Sequence, residues 1–183
     1  MRDQIMSDYL KALATREASP GGGATAALHV AQAAALVARC AEDRAVVAEA
    51  QALSMHALRL AEKDAHAVTT VGRAARLPSG DPHALLDARR GACVPPADVI
   101  AAAAVVLDLA ERVPPDPQVV TDLVAAVEAA RAAAVTARVS IEVQLADLEE
   151  DTVPREVVAS VGEICERADR VTETIRSGVA LSR

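Results

Sequence analysis

One carboxylate stands where an apolar side chain is expected. Between about Val46 and Leu77 the stripe Leu53, Ala57, Leu60, Asp64, Val68, Val71 and Ala75 advances by three or four residues, the spacing of a single helix face. Asp64 is its only polar member. A carboxyl buried without a cation holds its proton to higher pH, which is how proteins make an acid–base catalyst. A structural ion pair with an Arg on a neighbouring helix accounts for the same residue equally well. The residues Glu49, His56, Arg59, Lys63, His66, Thr70 and Arg73 fall on another face, which assigns His56 and His66 to solvent.

Two further features carry chemistry. Pro20, Gly21, Gly22 and Gly23 immediately precede a helix start. Glycines let backbone approach a ligand, and the unpaired N–H groups of a helix N-terminus favour a carboxylate or phosphate. A tight interhelical turn with no ligand has the same sequence. Farther on, Asp122, Ala126, Ala129, Ala133, Thr136, Ser140 and Gln144 form a stripe of small or polar residues beside an apolar seam. Such a stripe either lines a polar cleft or marks close helix packing. Thr121 and Asp122 also suit first-turn capping, and Arg89 and Arg90 are either an anion contact or a solvated charge pair. No Ser-His-Asp set, metal-binding His pair or Gly-Lys-Ser phosphate loop is present, so neither an ATP enzyme nor a metal site is expected.

The elements that must position these residues are punctuated by Pro and Gly. A first helix is predicted over Asp3–Thr15, with Ile5, Met6, Tyr9, Leu10 and Leu13 on one side. An Ala-rich helix follows from about Ala24, then the amphipathic Asp64 helix, with a loop at Pro78, Ser79, Gly80, Asp81 and Pro82. A short helix is predicted over His83–Ala92, and Val94, Pro95 and Pro96 open another that ends near Val113. Val119–Leu148 contains no breaker, a helix roughly 45 Å long. Pro154 starts the last, which runs to about Ser177. Short connections imply antiparallel neighbours, so the expectation is one all-α domain over residues 1–183, an up-and-down bundle of long helices.

Composition bounds the rest. Of 183 residues 52% are hydrophobic, yet Phe and Trp are absent and Tyr9 is the single aromatic, so Ala, Val and Leu must build the core. That favours closely packed helices over a sheet. The net charge of -7 and the missing aromatics argue against a nucleic-acid partner. Cys40, Cys93 and Cys165 have no metal-site or disulfide spacing and read as small buried hydrophobes. The charged N-terminus MRDQIMSDYL has no signal core, and the longest uninterrupted apolar stretch, Val99–Leu107, is shorter than a membrane span. A cytoplasmic protein is expected, with no membrane partner.

The run Pro20-Gly21-Gly22-Gly23-Ala24-Thr25-Ala26-Ala27-Leu28, after a short amphipathic helix, resembles the opening of the cyclodeaminase/cyclohydrolase family. Asp64-Ala65-His66-Ala67, continuing through Val71 and Ala74 to Leu77-Pro78, is similar to that family's Asp helix. Val94-Pro95 and Thr121-Asp122 are further points of likeness, in order along nearly the whole chain. The resemblance implies a dimerising all-α bundle with a folate pocket. It implies hydrolysis of 5,10-methenyltetrahydrofolate to 10-formyltetrahydrofolate, or ammonia release from 5-formiminotetrahydrofolate, with the folate as substrate and no tightly bound cofactor. Asp64 would be the acid/base, Asp122 would orient the pterin beside Thr121, and Gly21, Gly22 and Gly23 would form one wall. With no formiminotransferase domain in the sequence, the hydrolase reaction is preferred. Against the family pattern, Cys40–Arg44 carries Arg44 in place of a Gly-Lys, Ser140 and Gln144 replace two asparagines, and Val68 and Val124 replace an aromatic and a Gly. Those substitutions keep open a second reading: a helical module that retains the fold but binds another small molecule or a protein.

Overall fold

Ala-, Val- and Leu-rich segments form six helices in the computed structural model, which describes residues 5–16, 20–76, 82–146 and 155–180. They are α1 (Met6–Leu13), α2 (Gly22–Cys40), α3 (Arg44–Ala74), α4 (Pro82–Glu111), α5 (Val120–Leu145) and α6 (Arg155–Ala180). No strand occurs among the described residues. The expected loop at residues 78–81 and the helix start at Pro154 lie outside them, as do Leu77 and Leu148.

Helices α2 to α5 form an up-and-down set in which α2 packs on α3, α5 and α4, while α6 lies against α4 and α5. Side-chain pairs fix the directions. Arg39 near the end of α2 meets Asp122 in the first turn of α5, at 2.7 Å. Glu49 early in α3 meets Arg112 just after α4, at 2.8 Å. Both pairs require antiparallel neighbours. Arg39 and Asp122 also each sit at the helix end whose dipole suits their charge. The turn into α3 is capped locally, Asp43 Oδ1 accepting from the Ala45 N–H at 2.8 Å.

The core is made of small residues. Ala24, Ala26, Ala27, Ala33 and Ala34 of α2 are fully buried, as are Ala126, Ala130, Ala133, Ala134 and Ala137 of α5. Ala costs no side-chain entropy and lets helix axes approach closely, which is how a chain without Phe or Trp still fills its interior. Cys40 and Cys93 are buried and Cys165 is half-buried. Burial pushes the Cys40 and Cys93 thiols up, so these two are packing residues rather than nucleophiles.

One expected boundary is absent. The break at Val94–Pro95–Pro96 does not form, and α4 runs from Pro82 through both prolines to Glu111. Each Pro removes an N–H that would have reached the carbonyl four residues back, here Gly91 and Ala92. Tertiary burial overrides that loss: Ala92, Cys93, Pro95, Pro96, Val99 and Ile100 are all buried. By length and composition alone α4 is also apolar enough to cross a membrane, with a mean hydropathy of 1.8 within His83–Glu111. In the bundle 61% of that window is buried by the other helices, which places its apolar character in the core.

Candidate functional site

The glycine turn has no capping side chain of its own. Gly21 is the N-cap of α2 and Gly22 and Gly23 fill its first turn, where each Gly is about 1 kcal/mol poorer than Ala. What meets it comes from another helix. Asp64, projecting from α3, lays its carboxyl against Gly23 in that first turn, where the Ala24 N–H favours the ionised form. The protein's own carboxylate therefore stands at the helix start that the sequence offered either to a ligand anion or to a plain turn.

Gly23 is what makes this approach possible. A Cβ on Gly23 would stand 2.6 Å from the Asp64 carboxyl carbon, closer than real side-chain carbons come. The glycine is required for space rather than for backbone freedom. Asp64 is only 6% exposed, the single buried charged residue of the described chain. Burial raises its carboxyl above the ordinary value, and the Ala24 N–H offsets part of that rise. No Arg or Lys pairs with it among the described ion pairs, so the structural ion pair weighed from the sequence is not formed.

Asp64 faces a cleft of about 450 Å³, inside the range of small-molecule sites. Its floor is Gly21, Gly22 and Gly23. Asp64 and Val68 of α3 form one side, Ala92 of α4 another, and residues 135–144 of α5 the third. Along α5 the polar line Thr136, Ser140 and Gln144 alternates with the apolar line Val135, Val139 and Val143. The valines are 43, 50 and 64% exposed, so the outer wall is apolar and open. Among the described residues Asp64 is the only ionisable group in the lining. Ser140 already donates to the Thr136 carbonyl at 3.1 Å, which leaves its oxygen free to accept.

Of the residues picked from sequence, Asp64, Gly21, Gly22, Gly23 and Ser140 converge here. Arg44, Thr121 and Asp122 do not. Arg44 opens α3, 20 residues or about 30 Å along the helix from Asp64, and is exposed. Thr121 and Asp122 begin α5 at that same far end, where Asp122 holds Arg39. Neither Arg89 nor Arg90 lines the cleft, and Arg90 pairs with Asp87 at 3.5 Å. His66 is exposed as expected, whereas His56 is half-buried.

The small-residue stripe of α5 divides in two: Ala126 and Ala133 are packing contacts at 0% exposure, while Thr136, Ser140 and Gln144 line the cleft. Thr136 and Gln144 carry the same four-residue spacing as Ser140, so that stripe held their signal. The valine wall had none, because Val135, Val139 and Val143 are the residues an amphipathic reading of α5 would count as misplaced.

The sequence model of the formiminotransferase-cyclodeaminase family matches residues 5–163. Comparison with curated proteins gives no significant match. Among solved structures, a formiminotetrahydrofolate cyclodeaminase from Thermotoga maritima superposes with a TM-score of 0.81 over 98% of this chain and 97% of that one, at 18% identity. At that identity the likeness establishes the fold.

Proposed function

The chain belongs to the formiminotransferase-cyclodeaminase family, and from that premise we propose that it acts on a folate one-carbon unit with Asp64 as its acid–base group. The reaction we favour is hydrolysis of 5,10-methenyltetrahydrofolate to 10-formyltetrahydrofolate. The observation that carries it is a buried carboxyl, paired with no cation among the described residues and held above its ordinary titration range, on the wall of an open cleft.

The chemistry needs such a group. Water adds to the bridging carbon, the bond from that carbon to N5 breaks, and N5 takes up a proton while one proton leaves to solvent. Asp64 accepts the proton of the attacking water and returns it to N5 as that nitrogen departs. A carboxyl titrating closer to neutrality performs both steps better than an ordinary one. The substrate's delocalised cation also matches a cleft whose only ionisable lining group among the described residues is an acid. The glycine floor and the valine wall make a largely apolar cleft that would take the pterin ring, with Ser140 and Gln144 as polar contacts in its lining. The related reaction, ammonia loss from 5-formiminotetrahydrofolate, uses the same group to protonate the departing nitrogen. A homodimer forms part of the proposal, supported by the exposed apolar side chains of Val139 and Val143 beside the cleft.

The test follows loss of methenyl absorbance with purified protein, Asp64→Asn serving as control. Hydrolysis well above buffer that disappears in the variant supports the proposal. No acceleration with either this substrate or the formimino form removes folate turnover.

A further inference from the structure

Helix α1 touches the rest of the molecule in an unusual way. Ile5, Met6 and Leu10 are 68, 65 and 53% exposed, and Tyr9 is the only buried residue of α1, at 5%. Apolar packing of the helix as a whole does not explain why Tyr9 is inserted. Its hydroxyl lies 3.2 Å from Thr25 Oγ1, and Thr25 Oγ1 donates to the Gly21 carbonyl at 3.0 Å. A threonine hydroxyl has one proton. With that proton committed to Gly21, the Tyr9 hydroxyl must be the donor to Thr25. The result is a directed relay, Tyr9 to Thr25 to the Gly21 carbonyl.

The relay ends on the turn that most needs holding. The same Gly21 carbonyl accepts from the Thr25 N–H at 3.0 Å, closing the first turn of α2. That turn contains Gly22 and Gly23 and lacks a local cap, and the Asp64 carboxyl lies directly against its Gly23, beside the Ala24 N–H that favours the ionised form. We propose that Tyr9 is a positioning residue for Asp64, acting through Thr25 and the Gly21 carbonyl to fix the helix start that holds the carboxylate. Its importance for turnover rests on the reading of Asp64 given above; its effect on Asp64 does not.

The experiment reads Asp64 directly, without substrate. The carboxyl carbon of Asp64 is titrated by NMR in the full chain and in Tyr9→Phe, Thr25→Val, Thr25→Ser and the Tyr9→Phe/Thr25→Val pair. Phe keeps the buried ring and removes only the hydroxyl. No other ionisable group lines the cleft from α2, α4 or α5, so a shift reports the helix start rather than a neighbouring charge. A loosened turn weakens the Ala24 N–H bond to the ionised carboxylate, so Tyr9→Phe and Thr25→Val should each raise the Asp64 midpoint, by about half a unit. The pair should raise it no further than either alone, and Thr25→Ser should leave it in place. An Asp64 midpoint unmoved by both single substitutions, with only the melting temperature lowered, would overturn the proposal and leave Tyr9 as an anchor for α1. Additive shifts in the pair would overturn it as well. Absence of folate turnover would leave these titrations unaffected, so the two readings fail separately.

Discussion

At the scale of residues, the site is a carboxylate fitted against a glycine. Asp64 lies against the first turn of α2 and is desolvated there; burial raises its carboxyl and the nearby Ala24 N–H offsets part of the rise. Unfolded, the carboxyl titrates near 3.8; folded, it titrates higher. Between those two points the folded state binds the extra proton, so the stability from Asp64 is fully present at low pH and is lost as pH rises through the folded midpoint. Asp64→Asn removes the charge while its amide oxygen still accepts from Ala24. The variant should melt higher than the parent at neutral pH and lose that advantage below about pH 4, as thermal unfolding across pH will check. Gly23→Ala presses a methyl onto the carboxyl and should destabilise by about 1–3 kcal/mol in denaturant unfolding, with turnover falling more steeply than stability. The Asp64 half of this arrangement was legible because an acid interrupts an apolar stripe. The Gly23 half was not, since a triple glycine looks the same whether it meets a ligand or a side chain.

At the scale of elements, each helix has two ends with different tasks. The far ends of α2 and α5 are tied by Arg39 and Asp122, and the near ends open the cleft. Arg39 is 70% exposed, so Asp122→Ala should leave the unfolding midpoint close to that of the parent. Turnover should likewise stay within about twofold, because Asp122 stands roughly 27 Å along α5 from Ser140. A hundredfold loss would mean that a second chain brings Asp122 to the cleft. Helix periods placed Asp64 and Ser140 on their faces, but a period does not say which end of a helix a site uses; the pairing of α2 with α5 decides that. The unbroken α4 was hidden for a related reason. Val94–Pro95–Pro96 carries a strong local signal to stop, and the burial that overrides it comes from helices distant in sequence.

At the scale of the whole molecule, a bundle built from Ala, Val and Leu was readable from composition, because an Ala-rich chain with one aromatic residue favours closely packed helices over a sheet. Sequence could not show that Asp64 of α3 lies against the first turn of α2, nor that α1 reaches that turn through a single tyrosine. Both are long-range contacts through one side chain each, Asp64 and Tyr9, without periodicity to announce them. The cleft itself is lined by α2, α3, α4 and α5, with α1 tied to its glycine turn through Tyr9 and Thr25. The most direct test is the pH dependence of kcat/KM for 5,10-methenyltetrahydrofolate, corrected for buffer hydrolysis, in the parent and in Asp64→Asn. The account predicts activity rising through one ionisation above the ordinary carboxylate value of 3.8, and a variant with neither the limb nor the activity. A variant that turns over at the parental rate, or keeps the same limb, would contradict it.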